Sequence, residues 1–160
     1  MDGNGSAATA MLGLAGFVLL ALDGEVEQEI ETTETVVGCP GCGVLARLHD
    51  RRPVQVRDLP AAGRAVTLIW VKRIWRCMQA GCAVQTWTER SEAIRPRSSL
   101  TERARVQACR RVGQDGHTVT QVAAQLGVGW ATIMAAVVEY GLPLDRRSGA
   151  SGRCEQARGG

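Results

Sequence analysis

The apolar residues of this chain follow two different patterns, which divide it into a β-rich first part and a helical second part. Residues 17–22 form a continuous apolar run, Asp23-Gly24 is typical of a hairpin turn, and residues 26–33 form a returning strand. In the returning strand the alternation places Val26 and Ile30 inside and four acidic residues on the solvent face, namely Glu25, Glu27, Glu29 and Glu31. The pattern predicts an N-terminal β-hairpin with one acidic face.

A second β-hairpin is predicted between residues 54 and 77. Its strands span 54–59 and 65–77 and flank the turn sequence Pro-Ala-Ala-Gly at 60–63. Along the second strand, three apolar residues share one face with two basic residues nearer the end, namely Val66, Leu68, Trp70, Lys72 and Arg76. This strand should therefore be buried at its start and exposed and basic at its end.

Helix signals begin after a short polar segment at residues 96–99. Residues 99–102, Ser-Leu-Thr-Glu, form a capping box that should open a helix ending at Gly113. A second capping box at residues 118–121, Thr-Val-Thr-Gln, should open a shorter helix that breaks at Gly127. A third helix is expected from about residue 129 to Tyr140, because Gly141 and Pro143 follow.

The spacing of small and apolar residues across the last two helices is typical of a helix-turn-helix. Ala123 allows close helix contact, Gly127 makes the turn, and Val128 and Ile133 fill the corner between the helices. The chain is thus expected to be α+β: residues 1–10 disordered, 11–95 a β-hairpin and ribbon, 96–99 a linker, 100–143 a trihelical helix-turn-helix unit, and 144–160 a disordered tail.

Four cysteines carry the chemistry of the β-rich part. Cys39 and Cys42 enclose Pro-Gly, and Cys77 and Cys82 follow at the end of the second hairpin. Two such pairs can present four thiolates to one metal, and a closed tetrahedral shell of that kind makes Zn²⁺ structural, not catalytic. Iron in the same shell, a redox dithiol and disulfides are the alternatives. Cys109, far from both pairs in sequence, is expected to be a buried apolar residue.

The apolar segment at residues 11–22 is too short to cross a bilayer and lacks the positive flank of a signal peptide. No membrane partner and a cytoplasmic location are therefore expected. Disulfides are the weakest alternative for the four cysteines, because no secretory signal would deliver the chain to an oxidising compartment.

Charge is distributed in blocks that point to nucleic acid as a partner. Residues 1–38 hold seven acids and no base, whereas residues 39–111 hold fifteen Lys or Arg against five acids. A block this basic attracts a phosphate backbone, although an ordinary solvated surface is the plainer interpretation. The phosphate-contact candidates are the basic residues of the ribbon: Arg51, Arg52, Arg57, Arg64, Lys72, Arg73 and Arg76. Trp70, Trp75 and Trp87 could stack on bases, but core positions are favoured for them.

The third helix would present its N-terminal part to the major groove of double-stranded DNA. Its residues 129–135 contain no Arg, Lys, Asn or Gln, so direct readout would depend on Thr132 and on apolar contacts with thymine methyl groups, Trp130 included. Thr118, Thr120 and Gln121 are the expected backbone contacts of the preceding helix. The alternative is that this unit serves chiefly for packing or self-association.

These motifs resemble those of the N-terminal region of insertion-sequence transposases of the ISL-three type, over roughly residues 11–144. The segments that carry the resemblance are Gly16 to Val18, Thr32 to Gly43, Val56 to Pro60, Trp75 to Cys77, Leu100 to Ala104 and Leu126 to Thr132. The resemblance implies that Cys39, Cys42, Cys77 and Cys82 ligate zinc and that the region recognises the terminal inverted repeats of a bacterial transposon, in association with the nucleoid.

Complete members of that family continue into a catalytic domain with an acidic triad, for which 160 residues leave no room. No enzymatic activity and no small-molecule substrate are therefore expected, and a frameshift or early stop near codon 144 is our hypothesis for the unrelated tail. Two other functions stay open: a protein-interaction module built on the ribbon or the acidic hairpin, and a thiol redox protein using Cys39 and Cys42.

Overall fold

A computed structural model of the chain describes residues 12–23 and 26–145. Within that part the chain forms one mixed sheet followed by helices, so the predicted α+β fold is confirmed. The strands are β1 Phe17–Asp23, β2 Glu27–Thr32, β3 Arg47–Ala61, β4 Arg64–Arg76 and β5 Thr86–Thr88, and the helices are α1 Glu102–Gly113, α2 Val119–Leu126 and α3 Trp130–Asp145. Residues 1–10 and most of the tail, for which disorder was predicted, lie outside the described residues. Gly24 of the first turn also lies outside them.

The strands lie in the order β1-β2-β4-β3, with β5 pairing with β4. β1 and β2 pair antiparallel, as the hairpin prediction required, and Phe17 lies opposite Thr32. β2 then runs parallel to β4, with Glu27 opposite Thr67 and Ile30 opposite Trp70. The sequence pattern did not predict this parallel pairing, which joins the acidic hairpin to the ribbon in one sheet.

The described residues divide into two compact units. The first contains the residues up to 56 and residues 67–96, and the second contains residues 57–66 and the residues from 97 onward. The turn end of the β3-β4 hairpin therefore belongs to the unit that contains the helices.

The core of the first unit surrounds Trp70. Trp70 is fully buried together with Ile30 and Leu68, and its ring meets Phe17 edge to face at a centroid distance of 5.3 Å. Trp75 is also buried, so both tryptophans occupy the core positions that were favoured for them. Toward the end of β4, the face that carries Trp70 becomes half-buried at Lys72 and exposed at Arg76, as the alternation predicted.

Arg73 is a buried cation in β4 whose hydrogen bonds hold three segments of the first unit together. Its guanidinium donates to the main-chain oxygens of Thr32 and Glu34 at 3.1 and 2.7 Å, and to a carboxylate oxygen of Glu31 at 2.6 Å. Burial of a cation is costly unless its donors are all satisfied by acceptors. The network supplies those acceptors, so Arg73 has a structural role.

Glu89 is the second acidic residue of this network. Its carboxylate accepts hydrogen bonds from the Thr32 hydroxyl at 2.7 Å, the Trp70 indole at 3.0 Å and the Arg73 backbone N–H at 2.8 Å. The carboxylate thus orients the core tryptophan and fastens β2 to β4.

Glu31 forms ion pairs with two arginines, one exposed and one buried. Arg51 reaches one carboxylate oxygen at 3.0 Å from the surface, and Arg73 reaches the other from inside. Burial alone would raise the pKa of Glu31, but hydrogen bonds and charge from Arg51 and Arg73 outweigh it and hold the pKa below its usual range. Glu31, expected on a solvated acidic face, is therefore engaged in ion pairs.

The second unit has its own apolar core, formed where the three helices meet. The buried residues of this core are Leu100, Ala104, Ala108, Val122, Ala123, Leu126 and Ile133. Leu59, from the turn end of the β3-β4 hairpin, packs against this cluster. The small side chain of Ala123 is buried where close helix contact was predicted, and Ala104 and Ala108 allow the same close approach in α1.

Asp58 attaches the hairpin turn to the first helix within this unit. Its buried carboxylate accepts from the Thr101 hydroxyl at 2.6 Å and from the Arg103 guanidinium Nε at 2.9 Å. Arg57 adds backbone bonds, since its N–H donates to Ser99 and its carbonyl accepts from Thr101. Thr101 is also the cap of α1, because its hydroxyl accepts from the Ala104 N–H.

Two predicted helix boundaries are corrected by these bonds. The first helix is capped by Thr101 and not by Ser99, because the Thr101 hydroxyl serves both the helix end and Asp58. The third helix continues past Tyr140 to Asp145, since a proline near a helix end loses only one backbone hydrogen bond. The capping box of Thr118 and Gln121 is confirmed.

We expect Arg73→Ala to destabilise the first unit far more than Arg51→Ala, although both arginines pair with Glu31. Arg73 has an 8% exposed side chain and its removal leaves buried acceptors without donors, which typically costs about 3–5 kcal/mol. The side chain of Arg51 is 52% exposed, and such pairs contribute at most about 1 kcal/mol. Urea unfolding followed by tryptophan fluorescence measures both, and equal midpoints for the two variants would contradict the structural role of Arg73.

Candidate zinc centre and nucleic-acid interface

The first cysteine pair sits in a tight turn closed by backbone hydrogen bonds. The Cys39 N–H donates to the Val44 carbonyl, and the Gly43 N–H donates to the Cys39 carbonyl, both at 2.8 Å. Gly43 has φ of +75°, a left-handed conformation in which a glycine avoids steric strain. Gly81, which directly precedes Cys82, is also left-handed with φ of +80°, and the Cys82 N–H donates to the Gln79 carbonyl at 3.3 Å, so the second pair forms a turn, or knuckle, of different geometry.

Gly41 is required for close packing between the two knuckles. A Cβ atom at this position would lie 2.9 Å from a methyl group of Val84 and 3.4 Å from the Cys82 sulfur. Without a side chain, the Gly41 N–H can donate to the Cys39 sulfur at 3.4 Å, and the Gln79 N–H does the same for Cys77. Such N–H···S bonds stabilise thiolates.

The structure brings the four predicted ligands together: the sulfurs of Cys39, Cys42, Cys77 and Cys82 all lie within 4.8 Å of one another. Each sulfur of the first knuckle has a close partner on the second, at 3.8 Å for Cys39 and Cys82 and 3.5 Å for Cys42 and Cys77. With Zn–S bonds of about 2.3 Å, a tetrahedral shell requires sulfur separations of about 3.8 Å. The four thiols could therefore hold one zinc ion with little movement.

The acidities of these thiols show why a cation is needed. Burial would raise the pKa of Cys39, but backbone N–H groups of Gly41 and Cys42 lower it to about 7. The Gln79 N–H favours the Cys77 thiolate, yet burial and the neighbouring sulfurs outweigh it and raise the pKa of Cys77 to about 12. Four sulfurs this close cannot all be ionised by the protein alone, whereas a divalent cation would compensate their charge.

A groove of about 600 Å³ lies beside the second knuckle. It runs between β3 and the segment 76–85, and its basic lining residues are Arg47, His49 and Arg76. Arg76 was among the predicted phosphate contacts, but Arg47 and His49 were not. Their alternation along β3 was the available signal, because residues two apart on a strand share a face.

The other predicted contacts of the ribbon differ in their surroundings. Arg52 is exposed, Arg51 pairs with Glu31, and Arg73 is buried. The Lys72 ammonium lies 4.3 Å from the centre of the Trp70 ring, and burial lowers its pKa, with Glu89 opposing and Arg90 adding to that effect. Of these four residues, Arg52 offers the most accessible charge.

Predicted contacts in the second unit lie around the turn between α2 and α3. A Cβ atom on Gly127 would come within 3.6 Å of the Arg57 guanidinium, so Arg57 lies against this turn. Arg64, near the start of β4, is exposed. The α2 residues Thr118, Thr120 and Gln121 are exposed, and two of them bond to each other in the capping box. At the start of α3, Trp130 is exposed and Thr132 is half-buried.

A four-thiol ribbon and a three-helix unit with a capped turn define a class of zinc-containing DNA-binding protein. Residues 35–86 match the family model described as the zinc-finger of transposase IS204/IS1001/IS1096/IS1165, and residues 89–141 match that of the helix-turn-helix domain of transposase family ISL3. The two models cover about two thirds of the chain. The chain belongs to the ISL3 transposase family, and the predicted structural zinc cofactor is confirmed by the ribbon match and the cysteine cluster.

No curated protein and no solved structure matches the chain. In the part of the chain that the structure describes, no single helix has the length and apolarity to span a membrane. Among those described residues, Val119–Leu126 and Trp130–Gly141 meet the requirement only when taken together, and they are bent by 114°.

We expect Cys42→Ser to remove zinc and unfold the first unit, because three thiolates close the shell less tightly and the metal couples directly to folding. Zinc content by mass spectrometry and far-UV circular dichroism measure both effects. Cys109→Ser is the matched control, since Cys109 is a buried thiol outside the cluster and its variant should keep one zinc per chain. Full zinc content in Cys42→Ser would contradict the four-thiol centre.

Proposed function

We propose that this chain binds the terminal inverted repeats of an ISL3-type transposon through its ribbon and its helix-turn-helix, with Cys39, Cys42, Cys77 and Cys82 as the zinc ligands. The observation that carries the proposal is that two DNA-binding domains of one transposase family follow each other at residues 35–86 and 89–141. The proposed activity is binding, and no strand cleavage is assigned to these residues. The proposed location is the bacterial cytoplasm, at the nucleoid.

The distribution of charge supports a division of work between the two domains. In the ribbon, Arg47, His49 and Arg76 line a groove in which a phosphate backbone would find several donors. In the helical unit, Arg57 lies against the α2-α3 turn, close to where the phosphates that flank a major-groove helix would pass. We propose that Arg52, Arg57, Arg64 and Arg76 supply phosphate contacts and that Thr118, Thr120, Gln121, Trp130 and Thr132 contact the duplex from α2 and α3.

A protein-interaction module is the second candidate, and one observation favours it. Apolar side chains are exposed around the two knuckles, namely Val36, Val44, Leu45 and Met78. Exposed apolar clusters of this kind mark protein contacts, and a second copy of the chain would satisfy the predicted self-association. Val36, Val44 and Leu45 lie outside the groove, whereas Met78 lines it, so a protein bound over all four residues would compete with DNA for the groove.

The zinc-loaded chain should bind a duplex carrying the inverted-repeat end found beside its gene at least tenfold more tightly than a scrambled duplex. Fluorescence anisotropy titrations at two salt concentrations, with and without chelator, measure this. The affinity should fall steeply with salt, because phosphate contacts release counterions, and should be lost with chelator. Equal or absent binding to the two duplexes would overturn the proposal and favour the interaction module.

Arg76→Ala should weaken binding to both duplexes alike and reduce the salt slope by about one, as expected for a lost phosphate contact. Arg97→Ala is the matched control, since it removes an equal charge from an exposed arginine outside the groove. Zinc content checks that both variants stay folded. A loss confined to the transposon end would show instead that Arg76 reads a base.

A further inference from the structure

The exposed face of α3 is apolar from its start to Val138, and the exposed Glu139 that follows is paired with Arg105. Ala131, Ala135 and Val138 lie on one side of the helix at spacings of four and three residues and are all exposed, while Ile133 and Ala136 on the other side are buried in the helical core. Trp130, at the helix start, is 55% exposed. A face with this composition is unusual for a helix that approaches DNA.

The first half of this helix and the residues before it carry no ionised side chain, and the acids of α3, Glu139 and Asp145, lie in its second half. From Gly116 to Val138 the chain contains no Asp, Glu, Lys or Arg. Because α3 also contains no Asn or Gln, it cannot form the bidentate hydrogen bonds by which Arg, Lys, Asn or Gln distinguish guanine or adenine. Two arginines lie beside the helix: Arg105 pairs with Glu139 in its second half, and Arg57 lies against the turn that precedes α3.

Only one of the four ordinary DNA bases presents an apolar group in the major groove, and that is the 5-methyl group of thymine. An apolar side chain pressed against guanine, cytosine or adenine would cover polar edges without replacing their hydrogen bonds to water, which is unfavourable. Against a thymine methyl the same side chain buries apolar area on both partners. An apolar helix face can therefore distinguish thymine from the other bases through its methyl group.

Arg57 and the cap of α2 favour DNA over another helix as the partner of this face. The positive charge of Arg57 beside the turn matches a phosphate that flanks a groove, and the exposed hydroxyl of Thr120 lies in the first turn of α2, which in this motif crosses the backbone. The family match over residues 89–141 is to a helix-turn-helix domain of a transposase.

We infer that the α3 face formed by Trp130, Ala131, Ala135 and Val138 determines specificity by contacting thymine 5-methyl groups of the transposon end. This inference rests on the proposed function and specifies its substrate: an inverted repeat whose major groove presents thymines in register with that face. Phosphate contacts from Arg57 position the helix, and the methyl contacts select the sequence.

The test replaces thymine by deoxyuridine in the transposon-end duplex, which keeps the base pairs and removes only the methyl groups. The full zinc-loaded chain should bind the uridine duplex about fourfold more weakly for each methyl group in contact, a factor that corresponds to ~0.8 kcal/mol per buried carbon. Returning thymine at one position at a time should restore affinity at a few adjacent positions only. A uniform partial recovery at every position would indicate DNA shape and overturn the inference.

Ala135→Ser should lower the thymine-over-uridine ratio, because it places a hydroxyl where the methyl group would pack. Ala124→Ser is the matched control: it makes the same change at an exposed position of α2 and should leave the ratio unchanged. Tight, salt-sensitive binding to the transposon end, with equal affinity for its thymine and deoxyuridine forms, would overturn this inference. The proposed function would then still stand. Failure to prefer the end over a scrambled duplex would overturn both.

A second copy of the chain could occupy this face instead. Sedimentation velocity distinguishes a dimer contact from a DNA contact. If the face joins two copies, Ala135→Ser should shift the chain from dimer toward monomer, and the thymine-over-uridine affinity ratio should be one. That result would overturn the assignment of the α3 face to DNA.

Discussion

The meeting of four sulfur atoms is the constraint on which the ribbon depends. One knuckle precedes β3 and the other follows β4, so their sulfurs approach only if these two long strands pair in a single register. Closing so long a segment costs chain entropy, and the core around Trp70 is small. A metal that binds all four thiolates compensates that cost, because its binding free energy is available only to the folded chain. The groove beside the second knuckle exists only where this register is kept.

Local sequence patterns predicted the strands, helices and cysteine knuckles. The parallel strand pairing and the contacts between distant residues depend on long-range packing, which those patterns do not contain. The β1-β2 hairpin, the capping box at Thr118 and the cysteine knuckles each depend on residues close in sequence, where turn geometry and alternation are sufficient. The parallel pairing of β2 with β4 has no local signal, because parallel strands are joined by distant chain segments. For the same reason, Arg57 beside the α2-α3 turn and the second role of Thr101 as a donor to Asp58 could not be predicted.

The arginines of β4 show that the number of basic residues in a segment does not give the positive charge exposed at its surface. Arg73 and Arg76 are three residues apart, so the pleat sends them to opposite faces of the strand. One is enclosed by Glu31 and main-chain oxygens, and the other opens onto the groove. The basic block therefore divides between cations that hold the sheet together and cations that face solvent. Sequence composition weighs the two groups equally, whereas only the second can meet a phosphate.

The helical unit is discontinuous in sequence, since residues 57–66 belong to it while the segments on either side belong to the ribbon unit. Asp58 and Leu59 supply an ion-pair partner and a packing surface that residues after 97 do not contain. A single truncation point thus cannot release an intact helical unit, and a single recombination crossover between the two matched domains would separate Asp58 from Thr101. Selection should accordingly retain ribbon and helices as one inherited block, even though they are recognised as two domains.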